Sequence, residues 1–300
     1  MSAPTETAAG FRYSWGGDEF LFVEVAEEMD LAANFRAAAL CQRLAADRPA
    51  GIIDICPSNA SLLLRFDPDV LAPDVLLARV RELATETADL AGQVLSSRLI
   101  EVPVWYDDPF TNEVGERFRD NRHEPDSTDL DFAATQNGLA SRAEFISRHH
   151  SAPWIVTMVG FVAGLPFMYQ MVPRAEQLEV PKYLLPRTDT PKLTIGHGGC
   201  FSCIYSVRGA GGYQMFGVAA APIYDPRQTL ADFADSAVLF RPGDVVTYTP
   251  VTEERYREIQ AEVAAGTWRY DLRPVTVDLA AAVADPRAYN ERLLEAPRVP

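Results

Sequence analysis

The chain has 300 residues, 48% of them hydrophobic, which is enough apolar sequence to bury one large core or two ordinary ones. Its formal net charge is −15, from 42 acidic and 27 basic residues. Because nucleic acids and anionic membranes attract basic surfaces, this charge argues against both as partners. The sequence shows no secretory leader, no long apolar run and few cysteines, so we expect a cytoplasmic protein.

Residues 11–105 predict an N-terminal α+β domain, after a tail at residues 1–10 that we expect to be disordered. Short runs bounded by turn residues predict strands, and apolar residues recurring every three or four positions predict helices. The predicted strands are Phe11–Trp15, Phe20–Val25, Gly51–Cys56, Ser61–Phe66 and Leu99–Val104. The predicted helices are Asp30–Ala46, with Asp30 as its N-cap, and Pro73–Leu90. Helices alternating with hairpins favour a compact, ferredoxin-like sandwich.

Residues 106–150 are predicted to form a linker or insertion with helix. The stretch Asp107–Asp131 is polar, acidic and short of aliphatic residues, and it is long for a loop inside one domain. The pattern of Ala133–His149 indicates one or two further helices.

The sequence changes character after Pro153 and predicts a β domain at residues 151–265. Glycine and proline separate short β-rich runs, which is typical of a closed or sandwiched sheet. The predicted strands are Trp154–Val159, Leu193–Ile195, Cys203–Val207, Tyr213–Val218, Ala237–Phe240 and Val245–Pro250. A helix is predicted at Glu253–Ala264. Residues 266–300 form a C-terminal extension with a broken helix at Ala280–Leu294.

The densest group of reactive side chains lies at residues 195–203. His197 could act as an acid or base near neutral pH, and Cys200 could be a nucleophile if its thiolate were stabilised. Gly198 and Gly199 would allow a ligand to approach closely. The spacing His-x2-Cys-x2-Cys also resembles half of a zinc site, but no second cluster completes it, so no metal is predicted. Cysteines packed inside a barrel are an equally simple interpretation.

Other segments supply candidate binding residues. Gly164 and Phe167 lie in a Gly/Pro-rich turn whose backbone N–H groups could reach a ligand, although a plain structural turn is the simpler interpretation. Arg187 could bind a carboxylate or phosphate, or form a surface ion pair. Gln214 follows Tyr213 after a glycine turn and could face the same cavity as the segment at 195–203, or belong to an ordinary hairpin.

Two adjacent histidines, His149 and His150, follow a helical stretch. A helix C-terminus favours a cationic histidine, so either could contribute to a site, and a surface cap is the alternative.

Taken in order, short segments of this sequence resemble one family, that of KipI, allophanate hydrolase subunit 1 and the B component of bacterial 5-oxoprolinase. The resemblance covers about residues 11–260, and the ordered set carries it rather than any one segment. The segments are Gly17-Asp18, Gly51–Asp54, Ser61–Leu64, Ile100–Tyr106, a histidine before Trp154–Val159, Gly160-Phe161, Gly164–Phe167, Pro186-Arg187, Gly198-Gly199, Gly211–Gln214, Tyr224–Pro226 and Pro242–Pro250.

The resemblance implies an α+β domain followed by a cyclophilin-like β-barrel. It implies a heteromer with a second cyclophilin-like subunit, of the subunit 2 or C type. It also implies hydrolysis of a non-peptide C–N bond in a cyclic amide or ureido substrate, of the 5-oxoproline or allophanate type. ATP with Mg is the expected co-substrate, and no tightly bound cofactor is expected.

On this basis the predicted catalytic residues are His197, Cys200 and Gln214. The predicted substrate-binding residues are Arg187, Gly164, Phe167, Gly198, Gly199, Ser202, Tyr213 and His150.

The sequence departs from the family's pattern on the loops expected to face the ligand. Ala163 and Leu165 stand where the family has proline and an aromatic residue, and Cys200-Phe201-Ser202 stands where it has Gln-Thr-Gly. Two alternatives therefore stay open. One is a family member recruited to a ring-forming or isomerising step in a specialised pathway. The other is a non-catalytic regulator that binds a kinase, as KipI does.

Overall fold

The computed structural model describes residues 5–6 and 10–295, which fall into two compact units. The first comprises the chain up to Ser97 together with Thr276–Tyr289, and the second comprises Arg98–Val275 with the residues from Asn290 onward. Within the described ranges, no helix combines the length and apolar character that a membrane crossing requires.

The first unit is built on an antiparallel sheet with two helices. Its strands are β1 (Thr5–Glu6), β2 (Arg12–Trp15), β3 (Phe20–Glu24), β4 (Ile52–Ser58) and β5 (Ser61–Phe66), in the spatial order β1-β2-β3-β5-β4. The helices are α1 (Leu31–Asp47) and α2 (Pro73–Glu86). Alternate residues such as Leu21 and Val23 of β3 are buried in a core shared with the helices, as the period of two requires.

Helix α1 begins where the sequence predicts. The Asp30 side chain accepts a hydrogen bond from the Ala33 N–H at 2.6 Å, so Asp30 is confirmed as the N-cap.

The second unit is built on a closed seven-stranded barrel. The remaining strands of the described ranges are β6 (Val94–Tyr106), β7 (Trp154–Val159), β8 (Pro166–Gln170), β9 (Arg187–Thr190), β10 (Thr194–Gly198), β11 (Phe201–Ile204), β12 (Gly209–Gly211), β13 (Gln214–Ala219), β14 (Val245–Pro250) and β15 (Leu272–Asp278). The barrel order is β13-β10-β11-β8-β7-β14-β6, and the pairing of β6 with β13 closes it. Strands β9 and β12 form a separate two-stranded ribbon. The predicted fold class, an α+β domain followed by a β-barrel, is confirmed.

Further helices accompany these strands. They are α3 (Pro109–Arg117), α4 (Asp129–Gln136), α5 (Arg142–His150), α6 (Glu253–Ala264), α7 (Leu279–Ala284) and α8 (Pro286–Leu294). Helices α4 and α5 contribute Leu130, Phe132 and Phe145 to the barrel core. Helix α7, in contrast, belongs to the first unit.

Residues 106–150, predicted as a linker or insertion with helix, thus hold three helices and belong to the barrel unit. Some of their polar residues have structural roles. Asp108, Thr128 and Ser141 each accept a backbone N–H as the N-cap of one of these helices.

One predicted strand is wrong, because Ala237–Phe240 forms only an isolated bridge between Val238 and Tyr224. Prolines flank the partner segment at positions 222 and 226, and a proline cannot donate to a ladder, so pairing stops after one bridge. The tail predicted at residues 1–10 lies mainly outside the described residues, apart from β1 and Gly10. The extension at 266–300 includes β15, α7 and α8.

A buried ion pair fixes helix α4 against the barrel. The Asp129 carboxylate lies 2.9 Å from Nε of Arg122 and accepts hydrogen bonds from the Tyr183 hydroxyl, at 2.7 Å, and from the Met215 N–H of β13. Burial raises the pKa of Asp129, and the Arg122 charge opposes that rise. Arg122 also contacts Glu116, whose side chain is 58% exposed.

The substitution Asp129→Asn tests this ion pair. It keeps the shape of the side chain but removes the buried counter-charge of Arg122 and leaves only the exposed Glu116 as its partner, so we expect the free energy of unfolding to fall by about 3 kcal/mol. The matched control Glu116→Gln removes the exposed partner and should cost less than about 1 kcal/mol. Urea unfolding measures both, and equal losses would show that burial of the pair is unimportant.

Candidate functional site

Alternation along the barrel strands separates the predicted site residues onto two faces of the wall. In the ladder of β10 and β11, His197 lies opposite Ser202, and both are fully buried on the inner side. Gly196 lies opposite Cys203 on the outer side. Because successive side chains of a strand point to opposite faces, neighbours in the sequence do not share a site here.

His197 is a buried, neutral side chain that holds backbone in place. Its Nε2–H donates to the carbonyl oxygens of Leu178 and Gly199, each at 3.1 Å. Burial lowers the pKa of His197 to about 4, and these two backbone contacts only partly oppose the effect. The ring packs against His149 and Phe216 inside the barrel.

The other inward-facing candidates are similarly engaged. Gln214, opposite His197 in β13, donates to the Pro181 carbonyl at 2.8 Å. The Ser202 hydroxyl lies 2.9 Å from the Tyr248 hydroxyl. These side chains pack inside the barrel, and two of them hold the backbone at Leu178 and Pro181. None of them lines the pocket described next.

A pocket of about 400 Å³ opens on the outer side of the barrel wall. Four aromatic rings line it, those of Phe161, Phe167, Tyr205 and Tyr213. Leu165, Pro186, Ala210, the Gly211-Gly212 backbone, the Cys203 thiol and the Lys182 side chain complete the lining. The pocket thus combines an apolar wall with few polar groups, the composition usual for small-molecule sites.

Glycines hold the two tyrosine rings in place. A Cβ on Gly198 would lie 2.6 Å from Cε1 of Tyr213, and a Cβ on Gly211 would lie 2.6 Å from Cε1 of Tyr205. Since real side chains do not approach so closely, both rings occupy space that only glycine leaves open. Gly198, predicted as a substrate contact, therefore acts through Tyr213.

Two basic side chains accompany the pocket. The Lys182 ammonium lies 5.2 Å from the centre of the Tyr213 ring, over its face. Arg187 is fully buried, its guanidinium lies 4.4 Å over the Tyr183 ring, and its Nε donates to Thr190 at 3.3 Å. The terminal nitrogens of Arg187 make no well-aligned hydrogen bond to a described group, although the guanidinium lies close enough to the Tyr205 hydroxyl to lower the pKa of that group.

The acidic groups of the pocket are neutral near pH 7. Burial raises the pKa of the Cys203 thiol and of the Tyr205 hydroxyl, and the Arg187 charge only partly opposes both effects. Burial also raises the pKa of the Cys200 thiol. The pocket can therefore donate hydrogen bonds and exclude water, and neither thiol is ionised as a nucleophile would be.

The remaining predicted residues lie away from the pocket. Cys200 and Gly199 form the turn between β10 and β11, and the Gly199 backbone pairs with Val180. His150 is half-buried at the end of α5, whereas its neighbour His149 is fully buried and lies 2.8 Å from the Tyr106 hydroxyl through Nδ1. Of the predicted site residues, Phe167 and Tyr213 line the pocket directly, with Gly164 beside its Leu165.

Sequence reasoning missed Lys182 and Tyr205 as pocket residues, and Asp129 as the support behind them. Tyr205 carries a signal, because it follows Cys203 at the two-residue period that places both on one face. Lys182 lies in irregular chain, where no period exists to reveal its direction.

Comparison with known proteins identifies the family of this chain. Residues 11–233 match the model of the carboxyltransferase domain, subdomain C and D. The chain belongs to this carboxyltransferase-domain family.

Relatives of the family include both long and short polypeptides. The urea amidolyase of Saccharomyces cerevisiae is 27% identical over 283 residues, covering 93% of this chain and 15% of that protein. The B component of 5-oxoprolinase from Escherichia coli O157:H7 is 28% identical over 239 residues, covering 79% of this chain and 94% of that protein. The chain therefore spans a small part of the former and nearly all of the latter.

A solved structure shows the same fold. The urea carboxylase of Kluyveromyces lactis superposes with a TM-score of 0.80 at 24% identity, covering 98% of this chain and 26% of that protein.

The substitution Gly198→Ala tests the packing of the pocket wall. The new methyl group must displace the Tyr213 ring, so we expect a loss of about 1–3 kcal/mol in the free energy of unfolding. The control is Gly209→Ala in β12, where a Cβ would meet no atom within 4 Å. Thermal unfolding of the two variants measures the difference, and equal melting temperatures would contradict the assigned packing.

The pH dependence of stability tests the assignment of His197. Its pKa is about 4 in the folded chain and 6.5 in the reference state, so the unfolded chain binds the proton more tightly. The contribution of His197 to the free energy of unfolding is therefore fully present above pH 6.5. It falls by about 3 kcal/mol as the pH falls to 4, because the unfolded chain takes up the proton first.

The variant His197→Gln keeps an N–H for the Leu178 carbonyl but cannot titrate. Urea unfolding between pH 4 and 7 should show a shallower pH slope for this variant than for the wild type. Parallel curves would mean that His197 does not titrate as its burial requires.

Proposed function

We propose that this chain is a subunit of a heteromeric, ATP-dependent enzyme that hydrolyses a C–N bond in a cyclic amide or ureido substrate, of the 5-oxoproline or allophanate type. The observation that carries the proposal is its match to nearly the full length of a 5-oxoprolinase B component. The pocket supports it, because family segments at Gly164–Phe167, Pro186-Arg187 and Gly211–Gln214 converge there.

In this proposal the outer pocket contacts the substrate. Phe167 and Tyr213 form walls on either side of the ring or chain of the substrate. The Tyr205 hydroxyl donates a hydrogen bond to a substrate oxygen. Lys182 and Arg187 supply positive charge. His197 and Gln214 act indirectly, by holding the backbone at Leu178 and Pro181 that leads to Lys182.

The second cyclophilin-like subunit would complete the active site, and the complex would act in the cytoplasm. ATP with Mg is the co-substrate of the complete enzyme. Hydrolysis of ATP drives the opening of a stable amide. Cys200, which lies on the turn beyond the pocket, has no step in this proposal.

Co-expression with the second subunit tests the proposal. We expect the two chains to co-purify and either to release glutamate from 5-oxoproline only when ATP and Mg are present, or to release ammonia from allophanate. The substitution Lys182→Met in the complex should lower kcat/KM about tenfold, the effect of one lost charge-assisted contact.

Lys192→Met is the matched control, because Lys192 is exposed and does not line the pocket. It should leave turnover unchanged. A stable complex that turns over neither substrate with ATP would refute the proposed reaction.

A further inference from the structure

We propose that the outer pocket selects a carboxylate ligand with an apolar body larger than the ring of 5-oxoproline. This deepens the proposed function, on which it rests only for taking the pocket as the ligand site. Ligand size, charge and hydrogen bonding each follow from separate features of the pocket.

The size and lining of the pocket indicate an apolar body. Its volume of about 400 Å³ lies within the range of ~300–1,000 Å³ found for sites of drug-sized ligands. Three walls are aromatic or aliphatic, formed by Phe167, Leu165 and Pro186. 5-Oxoproline is a small ring with polar atoms around it, so it would leave much of this apolar surface uncovered.

The charge around the pocket indicates an anion. The chain carries a net charge of −15, yet no aspartate or glutamate is among the described residues that line the pocket. Lys182 is one of them, and the buried guanidinium of Arg187 lies beside two others, because its charge acts on the Cys203 thiol and the Tyr205 hydroxyl. A buried cation whose terminal N–H groups make no well-aligned hydrogen bond among the described residues favours a negative ligand nearby.

The nearest acidic groups already have counter-charges. Asp189 pairs with Arg117 and Arg208, and Asp129 pairs with Arg122. Asp129 therefore offsets the charge of Arg187 only in part, through the interaction of the two groups across Tyr183.

The Tyr205 hydroxyl connects Arg187 to the pocket. Tyr205 packs over Gly211, whose backbone pairs with Arg187 in the ribbon of β9 and β12. The hydroxyl stays protonated near neutral pH, so it can donate to a ligand carboxylate while the guanidinium behind it stabilises the negative charge.

Phe161 lines the pocket from a strained backbone. Its φ of 70° lies in the left-handed region that disfavours a bulky residue, and its side chain is 75% exposed. Strain of this kind persists where a side chain must be held in one place, and here that place is the rim of an apolar cavity.

Matched small molecules test the proposal on the isolated chain. Phenylpropionate, its neutral amide, phenylpropylamine and 5-oxoproline are titrated by calorimetry at pH 7. We expect phenylpropionate to bind at least about tenfold more tightly than its amide and than 5-oxoproline, and the amine not to bind.

Variants assign the preference to residues. Arg187→Met keeps an unbranched side chain over the Tyr183 ring and should reduce the preference for the carboxylate over the amide to the part that Lys182 supplies. Tyr205→Phe keeps the packing on Gly211 and should weaken carboxylate binding about tenfold. Arg257→Met removes an exposed arginine that pairs with Glu253 on helix α6, away from the pocket, and should change neither value.

Phe161→Gly removes an aromatic ring from the pocket, so it should weaken binding of phenylpropionate and of its amide. Because glycine tolerates the positive φ, the melting temperature should not fall. Circular dichroism checks that each variant is folded. If Arg187→Met fails to fold, the ranking of the four ligands on the wild-type chain still decides the proposal.

Equal binding of the acid and the amide, tighter binding of 5-oxoproline, or no binding of phenylpropionate at 10 mM (roughly the weakest affinity that a specific site shows) would each overturn the proposal. Because no partner and no ATP are used, these outcomes are independent of the turnover assay. A complex that opens 5-oxoproline while this selectivity is absent would retain the proposed function and lose only the ligand class.

Discussion

The position of one irregular segment, residues 178–187, determines what the outer pocket contains. Side chains hold its backbone from several directions: His197 donates to the Leu178 carbonyl, Gln214 to that of Pro181, and His123 contacts that of Lys182. The Tyr183 N–H donates to the Gly212 carbonyl at 2.7 Å, and its hydroxyl reaches Asp129. A segment without regular structure is thereby fixed well enough to present Lys182, Pro186 and Arg187 at one site.

This arrangement changes the meaning of the polar residues inside the barrel. A histidine opposite a glutamine on neighbouring strands looks like catalytic machinery in a sequence. Here both side chains direct their hydrogen bonds to backbone carbonyls, and burial keeps the histidine neutral. They act on the pocket through the backbone segment that they hold. The outer face, on which the pocket lies, is formed by the residues that alternate with them along the strands.

Much of the fold is predictable from the sequence, since it rests on local patterns. The strand Ser61–Phe66 and the helix Glu253–Ala264 have the bounds that their hydrophobic periods predict. The site is less predictable. His197 and Cys203 lie on opposite faces of the barrel wall. The period of two predicts that side chains alternate between the faces, but it does not reveal which face is the core. The importance of Asp129 depends on Arg122 and Tyr183, which come together only in the folded chain.

The closure of the barrel has a consequence for how the chain reaches its native state. Strand β6 pairs in parallel with β14, joining Leu99 to Val245, and antiparallel with β13, joining Tyr106 to Gly217. No hairpin can nucleate either contact, because most of the barrel sequence lies between the partners, and such distant pairings form slowly. Until β6 is enclosed, its edges offer unpaired backbone groups to any other strand. If the proposed second subunit docked early, it would protect such a folding intermediate.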